Sequence, residues 1–237
     1  MTDNNPLLQE FNTPHQTPPF TQIQTAHYIP AFTAAMEEGR AEIKAIIDNP
    51  VTPDFNNTIE ALEKAGNKLS RISSIFFNLN SAETSEAIQE VAREVSPLLS
   101  EYGNDIWLNE ALFARVKAVY EQKDKLTLST EQATLLDNTY KGFVRRGALL
   151  NAEDKQKYRN ITAELSKLSL QFGENLLAET NDYKLHITDE ADLAGLPEAV
   201  REAAQQLAES EGKEGWMFSL HAPSMLPFMQ YADQREL

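Results

Sequence analysis

The feature that most constrains this chain is a hydrophobic period of three and four residues that recurs, with short breaks, from about residue 27 to residue 180. Its longest unbroken run lies in "TPDFNNTIEALEKAGNKLSRISSIFFNLNSAE". There Phe55, Ile59, Leu62, Leu69, Ile72, Phe76 and Leu79 fall on one helical face through more than three heptads. Such a stripe predicts one long helix packed lengthwise on its neighbours. Before it, Phe32, Ala35, Met36, Ile43, Ile46 and Ile47 define a first helix that ends at "DNPVTP". After it, Ile88, Val91, Val95, Leu98 and Tyr102 predict a third, which Pro97 should bend or mark as a break. A shorter helix is expected at about 110–122, on Leu112, Phe113, Val116, Val119 and Tyr120.

"STEQATLLDNTYKGFVRRG" has a Ser/Thr start, an apolar face of Leu135, Leu136, Tyr140, Phe143 and Val144, and a stop at Gly147. Asn151 can cap a further helix, on which Tyr158, Ile161, Leu165, Leu168, Phe172 and Leu176 reach about residue 180. Residues 27–180 are thus expected to carry their own core. The period changes at "DYKLHIT", where alternation predicts a strand at about 183–187, and "GWMFSL" predicts a second at about 216–220. A helix between them starts near Pro197 and ends at Gly212. The final "HAPSMLPFMQYADQREL" reads as a helix opened by Pro223, with no Gly, Asn or Pro after its last turn to stop it.

The fold class is therefore mainly α, a multi-helix bundle of long antiparallel helices with a small β unit near the C-terminus. Three regions are expected. Residues 1–25, with Pro6, Pro14, Pro18 and Pro19, form an extended arm that packs through Phe11 and Phe20. Residues 26–182 form the bundle, and 183–237 form a strand-helix-strand seam leading into another helix.

Composition narrows the chemistry. A net charge of −15 repels phosphate backbones and anionic lipid, so neither nucleic acid nor membrane is an expected partner. No apolar run approaches a membrane span and the N-terminus lacks a signal-peptide pattern, which together point to the cytoplasm. With no cysteine, thiol nucleophiles, disulfides and thiolate metal sites are excluded.

Catalytic motifs are missing as well. There is no H-E-x-x-H, and His15, His27, His186 and His221 are scattered; structural or surface roles are expected for all four. Neither phosphate-binding glycine loops nor a G-x-S-x-G elbow occurs. Two features could contact a ligand. Arg145 and Arg146, adjacent at a helix end in "FVRRG", could bind a carboxylate or a peptide C-terminus; the plainer reading is dipole complementation and an ion pair with an acidic neighbour. The cluster "WMFSLHAPSMLPFM" could line an apolar groove, or more simply form core around Trp216.

Six phrases together resemble the N-terminal half of the thimet-oligopeptidase-like zinc metallopeptidases, the group that includes bacterial peptidyl-dipeptidase, oligopeptidase A and neurolysin. They are "PPFTQIQTAHYIPAF", "NPVTPDFNNTIEALEKAG", "FFNLNSAETSEAIQEV", "NEALFARVKAVY", "FVRRGALL" and "GWMFSLHAPSMLPFMQYADQREL". They span essentially the whole chain in family order, and the dipeptidase branch is the most similar. The resemblance implies an N-terminal fragment forming one wall of a deep channel that admits short, unstructured peptides. It places the zinc, its ligands and the general base in a C-terminal catalytic domain of the same polypeptide, so it implies no catalytic, cofactor-binding or metal residue in this chain. The alternative is a stand-alone helical module that binds a peptide or protein without enzymatic activity.

Overall fold

The computed structural model describes residues 4–237. Helix α1 (Tyr28–Ile47) buries Phe32, Ala35, Met36, Ile43 and Ile46, the stripe read from its sequence. Its aromatic end packs edge-on, with the Phe76 ring centroid 4.8 Å from Tyr28 and 5.5 Å from Phe32.

The long helix expected over 55–79 is divided. A π-helical turn (Phe55–Glu60) leads into α2 (Ala61–Lys64), and α3 (Asn67–Ala82) starts afresh. The cause is local. Ala65 is extended and Gly66 adopts a left-handed φ of 76°, which ends a helix, while the Gly66 N–H donates to the Glu42 carboxylate at 2.7 Å. The heptad spacing survives the break, so periodicity alone could not reveal it.

Helix α4 (Glu86–Trp107) runs through Pro97 without a break. Ser85 fixes its start by accepting from the Ile88 N–H, and buried Val91, Ala92, Val95 and Tyr102 anchor it on both sides of the proline. Helices α5 (Glu110–Tyr120) and α6 (Thr130–Arg145) follow, α6 opened by a capping box between Ser129 and Gln132. Phe55, Ile59, Leu112, Val116, Leu136 and Phe143 lie at the centre of one core cluster here. The segment before α1 is a series of tight turns. Leu7 is fully buried and Phe11 nearly so, with the Arg71 guanidinium 4.4 Å above the Phe11 ring and donating to the Leu7 and Gln9 carbonyls. Phe20, expected as a second anchor, is half exposed.

The described residues form two compact units, divided between Leu168 and Ser169, and α7 (Ala152–Asp182) runs from the first into the second. Asn151 caps it as expected, accepting from the Asp154 N–H at 2.9 Å. In the second unit, β1 (Lys184–Ile187) and β2 (Trp216–Ser219) pair antiparallel, Leu185 opposite Phe218. Helix α8 (Glu198–Ser210) connects them and packs on β2. Ile187, Leu193, Leu196, Phe218 and Phe228 form this unit's own core, with Trp216 packed against it.

The last helix, α9 (Ala222–Tyr231), stops short of the expected length although no stop residue follows it. Here the terminator is tertiary. The Asp233 N–H donates to the Ala194 carbonyl at 2.9 Å, and Gly195 lies so close that a Cβ there would be 2.2 Å from the Tyr231 carbonyl oxygen. Among the described residues no helix is long and apolar enough to cross a membrane.

Candidate functional site

The two arginines at the end of α6 are placed by a notch in their own helix. Gly142 lies one turn before Arg146, and a Cβ there would sit 3.2 Å from the Arg146 guanidinium and 3.4 Å from the Trp107 ring. Without that Cβ, the Arg146 guanidinium lies 4.2 Å from the Trp107 ring centroid. Trp107 is in turn held edge-on by buried Phe143 at 4.8 Å. Arg145, next to it, is exposed, and its side chain has no ion pair or hydrogen bond among the described residues.

Gly147 then turns the chain with a φ of 93°, a conformation that favours glycine, and leaves Leu149 exposed beside the arginines in sequence. The result is a stacked cation, a free cation and an exposed leucine at the C-terminal end of a helix, in a chain of net charge −15. Such a group can take an anionic, partly apolar ligand such as a peptide C-terminus. Trp107 and Gly142, which organise it, carry no sequence signal: a tryptophan nearly forty positions upstream is paired with Arg146 only by folding.

A second polar assembly fixes α7 on α4 and α5. The Lys155 ammonium, nearly buried, donates to Glu110 at 2.7 Å, and Arg159 donates to Asp105 at 2.9 Å. Buried Asn104 donates to the Thr162 hydroxyl at 2.8 Å. The hydrogen bond and charge of Lys155 hold the Glu110 carboxyl below the usual carboxylate range. These contacts turn the polar side of α7 inward. In the first unit the expected apolar stripe is therefore not core, Ile161, Leu165 and Leu168 being more than half exposed; in the second unit Phe172 and Leu176 are exposed as well.

The four histidines stay apart. The His27 Nδ1 accepts from the Gln24 N–H at 3.0 Å, His186 bonds the Glu214 carbonyl at 2.7 Å, and His221 pairs with the Ser219 hydroxyl at 3.1 Å. His15 sits in a turn at positive φ. Among the described residues no group of three His, Cys, Asp or Glu side chains could hold a metal ion, so the residues present do not fit a zinc centre.

No family model matches the chain. Its homologues are nevertheless peptidases, of the dipeptidyl carboxypeptidase and oligopeptidase A type within the thimet oligopeptidase group. It is 40% identical over 221 residues to dipeptidyl carboxypeptidase of Escherichia coli (strain K12), an alignment covering 93% of this chain and 32% of the relative. Dipeptidyl carboxypeptidase of Salmonella typhimurium is 39% identical over 98% of the chain and 34% of its own length. Oligopeptidase A of E. coli is 34% identical over the same shares. The chain thus spans about a third of the length of the curated relatives it matches.

Proposed function

We propose that this chain is the N-terminal, noncatalytic substrate-channel part of a cytoplasmic, peptidyl-dipeptidase-like zinc metallopeptidase that releases dipeptides from the C-termini of short peptides. The observation that carries this reading is the match of nearly the whole chain to about a third of each dipeptidyl carboxypeptidase. The part of such a peptidase outside that third would supply the zinc and the residues that activate water. This chain contributes selection: a wall of helices admits an unstructured peptide and excludes a folded protein by shape. In this reading Arg145 and Arg146 meet the peptide's carboxylate end, Arg146 held in place by Trp107. A stand-alone binding module is the less favoured alternative, because it would be expected to bury Leu165, Leu168, Phe172, Leu226 and Met229 rather than expose them.

The test is a fusion of residues 1–237 to the remaining two thirds of E. coli dipeptidyl carboxypeptidase. The fusion should release C-terminal dipeptides from a short unstructured peptide, lose that activity to a chelator, and leave a folded protein intact. Absence of dipeptide release, or equal cleavage of the folded protein, would contradict the reading.

A further inference from the structure

Helix α7 is built inside out. In the first unit its polar side faces α4 and α5, fastened through Lys155, Arg159 and Thr162 to Glu110, Asp105 and Asn104. Rolling the apolar side inward would break all three contacts and leave buried Asn104 without its partner, which is costly without a replacement. The outward side has its own order. Tyr158, Ile161, Leu165, Leu168 and Phe172 are spaced three, four, three and four residues apart, and Leu176 follows four further on. A stripe confined to this alternation is the narrow seam by which one helix packs along another, rather than the broad face that settles on a sheet or a mixed core.

Five of these side chains are more than half exposed, in a chain that otherwise shields its large aliphatic groups within α1, α5 and α6. Two sources could supply a covering helix. A second copy brings another −15 of net charge, so pairing must work against mutual repulsion. The relatives, by contrast, carry about two thirds of their length beyond what this chain matches.

We propose that the outward seam of α7 is the surface on which an amphipathic helix from that remaining part of the peptidase polypeptide docks. The proposal rests on the function argued above and adds to it the place of attachment. Docking there would also fix α7 on its second side and thereby hold the wall of the channel in register.

The chain has no cysteine, so a single introduced thiol reports this surface without interference from its own residues. Leu168→Cys would be labelled with a maleimide in the isolated chain and in the fusion to the remaining part of E. coli dipeptidyl carboxypeptidase. The reaction is read by mass on the tryptic peptide 168–184, and exposed Asn160→Cys, about a third of a turn away from the seam and read on peptide 160–167, serves as reference. In the fusion the Leu168→Cys rate should fall by about tenfold or more while the reference rate holds. Should the fusion misfold, the same remaining part added in trans to the isolated variant should protect it equally. Unchanged labelling in both formats overturns the proposal. So does slow labelling of the isolated chain accompanied by a dimer in sedimentation, which would assign the seam to a second copy. Protection without dipeptide release would leave the docking standing and overturn the function; dipeptide release with a fully reactive thiol would do the reverse.

Discussion

Two leucines that occupy equivalent places in a helical stripe should respond oppositely to truncation. Leu136 on α6 is 1% exposed and packed in the cluster of Leu112, Val116 and Phe143, whereas Leu168 on α7 is 52% exposed. Leu136→Ala removes buried methyl groups and leaves a cavity, a loss of about 2–5 kcal/mol. Leu168→Ala leaves no cavity, and with half of the side chain already in water its transfer loss stays below about 1 kcal/mol. Urea unfolding followed by Trp107 fluorescence, in a Trp216→Phe background, reads the unit that holds both leucines. A Leu168→Ala loss as large as that of Leu136→Ala would mean that α7 packs its apolar side inward, and both the polar fastening and the exposed seam would fall.

Gly39 faces Tyr102 so closely that a Cβ would lie 2.2 Å from the phenol oxygen. Gly39→Ala should cost about 1–3 kcal/mol by overpacking, most of it recovered in a Tyr102→Phe background; full stability of the single variant would refute the contact. Because the Glu110 carboxyl is held below its ordinary 4.5, its pairing with Lys155 contributes fully above that pH and is lost as pH falls through the lowered value. The stability difference between the natural chain and Glu110→Gln should therefore be flat above pH 4.5 and shrink below it, and a difference independent of pH would refute the pairing. In the fusion, Arg145→Ala should raise KM for a short peptide roughly tenfold with kcat unchanged, the mark of a lost charged contact made equally in ground and transition states. An unaltered KM would remove Arg145 from the peptide site.

Where element identity depends on local spacing, the sequence is readable: the faces of α1, α5 and α6, the Ser129 and Asn151 caps, and the two short strands all follow from residues near one another in the chain. What escapes it is set by partners far away. The break at Gly66 depends on Glu42, and the end of α9 depends on Ala194 and Gly195. The orientation of α7 depends on Asp105 and Glu110, some fifty residues upstream of the groups they bind. Periodicity locates a stripe but does not say which way it faces, and on α7 three polar contacts decide. The candidate site shows the same division: Arg145 and Arg146 stand out as a basic pair, while Trp107 beneath Arg146 does not.

Whether this chain is part of a larger dipeptide-releasing peptidase is decided by the size of the native polypeptide that carries it and the activity that travels with it. Extract from the source cells would be fractionated by size, probed with an antibody raised against residues 1–237, and assayed for chelator-sensitive release of C-terminal dipeptides. The expected result is an immunoreactive band far above the 26.6 kDa of this chain, eluting with the dipeptide-releasing activity. A band at 26.6 kDa, separated from that activity, would contradict it.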